Sequence, residues 1–264
     1  LGEYENARNH TEKLLQVAKE FGYQDWQGEG QRLLGDISSQ RQDRASALSH
    51  YQRALSLAEK FPMPRVTLWS HVGSARVYLA EGKTDLAIGH MERAMRIVET
   101  MRSFLQSEEL RSSFFEDKAQ VYFDAVLAQL LGGREDEAFH TTERSRARAF
   151  LDLLGTKVSL SRAKELVAEE IELRRRIAEL NLLTEDDGEE EDDGQKKQEI
   201  EGAQRAYAEF LSRVRKENKE QASLMTVEPL TLKEVQELLD SDQTLLEYFV
   251  TPEKTLLWVI DKDR

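Results

Sequence analysis

Residues 75–94 read ARVYLAEGKTDLAIGHMERA, and this stretch decides the fold. Ala75 and Tyr78 lie one turn apart on a first helix. Gly82 makes a turn, and Ala87, Met91 and Ala94 follow at +4 and +7 on a second helix. These spacings place small, large and small side chains on one helix face. The same face stands forty residues earlier as Ala47, Tyr51 and Ala54, and forty before that as Ala7, Thr11 and Leu14. A helix face that recurs at a fixed long period buries itself by stacking on its next copy, so the chain is expected to be a solenoid of paired helices.

Reading outward, Leu34-Gly35 falls on the first helix of the second copy, and Pro62 and Pro64 close it. A fourth copy is looser: Leu130, Gly133 and Ala138 fit, while Thr142 and Ser145 replace the aromatic and the second alanine. Met95–Leu131 has helical periodicity without Gly or Pro and reads as two long helices with a break near Ser103 to Ser107. The first copy shows only its second helix and the chain opens on Leu1, as expected of a piece of something longer.

Beyond Leu160 the texture changes. Leu166, Leu173, Ile177 and Leu180 form one apolar stripe, and Ile200, Ala203, Tyr207, Phe210 and Val214 another. Two such helices predict an antiparallel coiled-coil hairpin over 156–222, after a repeat region over 1–155 of about 3.5 repeats. The acidic stretch at 184–194 reads as its solvated loop, because like charges repel and nothing there forms a core. Thr231, with Glu234 three residues on, has capping-box spacing for a short helix to Leu239. Thr244–Val250 and Thr255–Asp261 are β-rich runs around Thr251-Pro252-Glu253-Lys254, a hairpin signal. The fold class expected is mainly all-α, with a β-hairpin that starts an α/β domain over 223–264.

Composition narrows the function. The net charge of −13 repels phosphate backbones and argues against nucleic-acid binding. The absence of cysteine excludes a thiolate zinc site or a cysteine nucleophile in this chain. No apolar run has membrane-spanning length and no signal-peptide pattern opens the chain. With zero cysteine, that fits a cytoplasmic bacterial protein.

The small residue three before an aromatic on the first helix, and Ala-aromatic-Ala on the second, resemble the tetratricopeptide repeat, here with a longer period. The helix ERSRARAFLDLL at 143–154, followed by LLEYFV at 245–250 and LLWVI at 256–260, is similar to proteins that join such repeats to a CHAT domain, the caspase-like domain associated with them. The resemblance implies a caspase- or separase-like fold beginning near Leu230, with the two β-rich runs as its first strands. Active members of that family use a histidine and a cysteine on later strands. This chain has no cysteine and no histidine after His140, so no catalytic residue carries over and any such chemistry is expected beyond Arg264.

His10, His50, His71, His90 and His140 lie one per helix without HExxH or Cys/His spacing, and are expected to be ordinary solvated histidines, with no metal and no cofactor. Gly28-Glu29-Gly30 with Gly35 lacks the strand and lysine of a phosphate loop and reads as small residues at a helix contact. The acidic loop fails the EF-hand register from both of its glycines. Arg144 and Arg148, one turn apart, are a candidate basic patch, and Arg174–Arg176 a second run, each weighed against pairing with the abundant glutamates.

The family resemblance places the interaction groove on the first helix of each repeat. It implies Glu29, Arg32, Asp36 and Ser39 in repeat two, and Trp69, Val72, Arg76 and Leu79 in repeat three. Arginine beside an aromatic is the residue pairing that anchors interfaces. Asp36 and Val72 do not supply the lysine-and-asparagine clamp of chaperone-tail adaptors. The expected partner is a protein or peptide, or the protein's own downstream CHAT domain. Dimerisation through the coiled-coil arms or the open β edge is a further expectation.

Overall fold

In a computed structural model, the described residues are 2–103, 108–155, 229–250 and 254–263, with scattered helical positions between 168 and 214. At 2, 102–117 and 148–155 the description is of the backbone alone. The acidic loop, the connection at 104–107 and the hairpin turn at 251–253 lie outside them. The chain divides into two compact units, Leu1–Phe104 with Ser161–Phe210, and Leu105–Leu160 with Leu211–Arg264.

The first unit holds α1 (Gly2–Glu20), α2 (Gln24–Gln40), α3 (Arg44–Ala58), α4 (Pro64–Ala80) and α5 (Thr84–Ser103). Each helix packs on the next, and α2 also packs on α4, as solenoid stacking requires. The chain reverses through one recurring device. After α1, α2 and α4 the backbone turns left-handed at Gly22, Gln42 and Gly82. The amide of the following residue then reaches back five positions: Tyr23 to the Ala18 carbonyl at 2.8 Å, Asp43 to Ser38 at 2.9 Å and Lys83 to Tyr78 at 2.9 Å. These Schellman turns satisfy carbonyls that the helix end leaves open. Asp43 then caps α3, its carboxylate accepting from the Ser46 amide at 3.2 Å, and Pro64 begins α4 where no amide is needed.

The repeat face is the core. Ala47, Ala54, Ala75, Ala87 and Ala94 are all fully buried, and Tyr51 and Met91 are 1% exposed between them. Tyr51 fills a slot between α2 and α4 that exists because both neighbours are glycines. A Cβ on Gly35 would stand 2.5 Å from the ring's Cε1, and one on Gly73 would stand 2.6 Å from Oη and closer still to Cζ. Gly28 and Gly30 likewise admit Met63 and Leu15, so these glycines serve helix contacts.

The second unit holds α6 (Glu108–Leu131) and α7 (Glu135–Gly155), joined through the same left-handed turn at Gly133. Thr142 and Ser145, which replace the aromatic and alanine of the repeat face, are still buried there. A short helix α8 (Leu232–Leu238) carries the full capping box between Thr231 and Glu234. Strands β1 (Leu245–Val250) and β2 (Thr255–Ile260) pair antiparallel, with Glu247 opposite Trp258 and Phe249 opposite Leu256. One face of this hairpin packs on the helices, Phe249 against Phe123 at 6.3 Å and Trp258 edge-on to Phe139 at 5.6 Å. The other face carries Leu246, Tyr248, Val250, Leu257 and Val259, each about half exposed or more. Between 168 and 214 the described positions are helical, with Ala203, Phe210 and Val214 buried and Tyr207 stacked on Phe210.

Candidate functional site

The face shared by α2 and α4 gathers three of the expected groove residues. Glu29, Arg32 and Asp36 are spaced three and four apart, which stacks them along one helix face. Arg32 is their centre. Its Nη2 lies 2.6 Å from Glu29 Oε1 and its Nη1 lies 2.5 Å from Asp36 Oδ2. Arg65, at the start of α4, reaches the same Glu29 oxygen at 3.1 Å, and Tyr51 donates to Asp36 Oδ1 at 2.7 Å. The result is one charge-assisted network joining three helices.

Electrostatics follow from that geometry. Burial pushes the Glu29 carboxyl upward, but the Arg32 hydrogen bond and the charges of Arg32 and Arg65 outweigh it, and Glu29 titrates below its ordinary range. Burial, reinforced by the Asp36 charge, drives the Tyr51 phenol well above its usual value. Arg32 stays charged, with its side chain only 13% exposed, so it organises the face from within rather than presenting a free cation. Among the other expected positions, Ser39, Trp69 and Leu79 are half-buried and Arg76 is exposed. Val72 is 1% exposed and belongs to the core.

Beside the network, across the N-termini of α2 and α4, lies a cleft of about 230 Å³. Asp25, Trp26, Glu29 and Arg65 line it with Pro62, Met63, Pro64 and Val66. Trp26 is 54% exposed, while Met63 and Val66 are buried and form an apolar floor. Sequence reasoning missed Trp26 and Arg65. The repeat period would have found them, since Asp25-Trp26 stands forty residues before Arg65-Val66 at the same helix starts.

The arginine patches resolve differently. Arg144 is half-buried on α7, and the Arg148 side chain lies outside the described residues. Between them, Arg146 pairs with Glu143 at 3.3 Å and with Glu247 of β1 at 2.9 Å, and donates to the Tyr248 carbonyl. Burial first, then the nearby Glu143 charge, raise Glu247 to about 7 despite Arg146. In the second run, Arg175 is paired with Glu172 at 2.6 Å.

The histidines are not uniformly solvated. His10 is exposed, but His50 Nδ1 meets Gln31 Oε1 at 2.9 Å, and the Nδ1 atoms of His71 and His90 meet each other at 2.9 Å. Among the described residues no group of three or more metal-ligating side chains converges, and no helix is long and apolar enough to cross a membrane.

Residues 31–100 match the family model of the tetratricopeptide repeat, which supports a protein built on such repeats. That span runs from within α2 into α5. Repeats of this kind generally mediate protein–protein interactions. No curated protein and no solved structure matches the chain.

Proposed function

We propose that the chain is an interaction scaffold that binds a partner protein or peptide on the α2–α4 face of its repeats. The observation that carries this reading is the cleft beside Trp26. A large aromatic stands half exposed at its mouth, an apolar floor of Met63 and Val66 lies below, and Arg65 and Asp25 flank it. An exposed aromatic with a neighbouring arginine beside a partly apolar cleft has the residue types that anchor interfaces. The Arg32 network holds this face rigid, so docking loses little side-chain entropy. In this reading the chain recognises rather than catalyses, and its charge of −13 favours partner segments that are not acidic.

The test is affinity capture from source lysate, comparing wild type with a Trp26→Ala, Arg65→Glu double variant. Both residues are exposed, so the fold is expected to survive. Partners held by wild type and lost by the variant support the assignment. Capture of the same set by both overturns it.

We propose as a second reading that 223–264 begins a CHAT-type domain, with the repeats as the regulatory half of a caspase-like cysteine protease. The hairpin supports it. β1 and β2 are apolar on both faces, and a sheet with two apolar faces is built to be covered twice. A partner on the repeats would then shift their set against the protease domain. Analysis of the adjoining sequence for a histidine–cysteine dyad separates the two readings. A dyad supports the protease, and its absence leaves a scaffold alone.

A further inference from the structure

The forty-residue period carries charge as well as core alanines. Lys13, Arg53 and Arg93 occupy one repeat position on the second helices α1, α3 and α5, six residues after Ala7, Ala47 and Ala87. His10, His50 and His90 stand three residues before them, so each second helix shows His-x-x-Lys or His-x-x-Arg. On a helix these two positions fall on one flank of the buried alanine face. All three cations are exposed, and none of them makes an ion pair among the described residues. The same holds for Arg96, one turn beyond Arg93 on α5.

The net charge of −13 is not spread evenly along the chain. Residues 1–104 carry 14 Lys and Arg against 13 Asp and Glu, and α3 has no acidic residue at all. Two of the carboxylates nearest the stripe are engaged: Arg8 holds Glu12 at 2.8 Å, and Asp43 caps α3. At repeat three, Arg93 and Arg96 both stand close enough to the His71–His90 pair to act on it, and no carboxylate counters them there. Arg53 and Arg8 bear on His50 in the same sense, opposed by Asp43 and Glu12. A positive stripe thus crosses the second helices of a chain that is acidic as a whole.

We propose that this stripe is a second docking surface, distinct from the Trp26 cleft, and that it takes an extended acidic segment of a partner protein across α3 and α5. Charge complementarity selects the occupant. Arg53, Arg93 and Arg96 are exposed forks without a carboxylate partner among the described residues, and a guanidinium pairs best with a carboxylate. One cation per repeat, on rigid helices, offers the successive acidic side chains of such a segment successive partners. A nucleic acid fits less well. Its backbone carries a charge at every nucleotide, which so sparse a row does not match, and the rest of the chain repels a polyanion. Glu92, beside Arg93, offsets part of the charge, so micromolar rather than nanomolar affinity is expected.

The test titrates the whole chain into a fluorescein-labelled dodecapeptide of alternating Glu and Ser, read by fluorescence anisotropy. Wild type is expected to bind it in low salt and to lose at least tenfold in affinity between about 50 and 300 mM NaCl. The Arg53→Glu, Arg93→Glu double variant should bind at least tenfold more weakly. Arg53→Gln with Arg93→Gln, which removes charge without reversing it, should shift the same way by less. These side chains are exposed, and thermal melting checks that the variants fold. Trp26→Ala with Arg65→Glu should bind the peptide as wild type does, which keeps this surface separate from the cleft. Undiminished binding by the Arg53→Glu, Arg93→Glu variant overturns the proposal, as does wild type that ignores the peptide. Loss of binding in the Trp26, Arg65 variant also overturns it and places the segment in the cleft. Tighter binding of a labelled thymidylate dodecamer than of the peptide overturns it in favour of an unselective polyanion surface.

Discussion

Gly73→Ala is expected to destabilise the first unit by about 2–4 kcal/mol, although it places a better helix former inside α4. The propensity gain is about 1 kcal/mol. Against it stands a methyl group 2.6 Å from Tyr51 Oη and closer still to Cζ, where carbon contacts are normally about 3.5–4.0 Å. The ring must move by roughly 1 Å and has little room, because Gly35 also packs closely on it and Tyr51 is 1% exposed. Overpacking of this kind costs about 1–3 kcal/mol. The shift also breaks the 2.7 Å bond to Asp36, and a hydrogen bond to a charged group is worth about 1.5–3 kcal/mol. Urea unfolding followed by circular dichroism measures the sum. Gly89→Ala is the control, since α5 leaves open space within 4 Å of that position, and it should gain up to about 1 kcal/mol. A Gly73→Ala chain as stable as Gly89→Ala would refute the Tyr51 slot as the joint between repeats.

Acid should weaken the first unit through His71. Its folded pKa lies below the unfolded value, so the unfolded chain takes the proton first and stability falls as pH drops below about 6.5. Between pH 7.5 and 5.0 wild type should lose about 2 kcal/mol more than His71→Gln in parallel urea titrations. Equal losses would show that the pair does not resist protonation. Gln42 carries the left-handed φ of 62° that glycine carries in the three sister turns, so Gln42→Gly should stabilise by about 1 kcal/mol in the same assay. Glu247 behaves in the opposite sense to His71. Its raised pKa favours the protonated folded state, so stability is complete below about 4.3 and is lost as pH rises through about 7. Glu247→Gln should therefore stabilise the second unit by up to about 3 kcal/mol at pH 8.5 and change little at pH 4, read from Trp258 fluorescence during unfolding with Trp26 and Trp69 replaced by Phe.

Much of this was legible in the sequence because it depends on local spacing. The small-large-small spacing, Ala-Tyr-Ala and Ala-Met-Ala, located the buried faces of α3 and α5. Gly82 and Gly133 marked the turns before α5 and α7, and Thr231 with Glu234 gave the cap of α8. The β runs ended within a residue of β1 and β2. What was not legible depends on depth and on partners brought from elsewhere in the fold. Val72 has the right periodicity for a groove, yet it is buried on a helix packed by α2, α3 and α5 together. Arg32 reads as a free cation until Glu29 and Asp36 are seen to close on it. Arg146 binds a strand about a hundred residues away, and no spacing rule reaches that far. The histidines form no metal-binding motif along the chain, so their pairing shows only across helices. The repeat period was the frame that pairs them.

The most direct measurement of the interaction face is hydrogen–deuterium exchange of the chain alone and in complex with a captured partner. If the α2–α4 face is the binding surface, protection should rise over residues 24–36 and 64–80 and stay unchanged over the second helices of the repeats. Protection confined to α3 and α5, or to the hairpin at 245–260, would contradict the assignment and move the interface elsewhere.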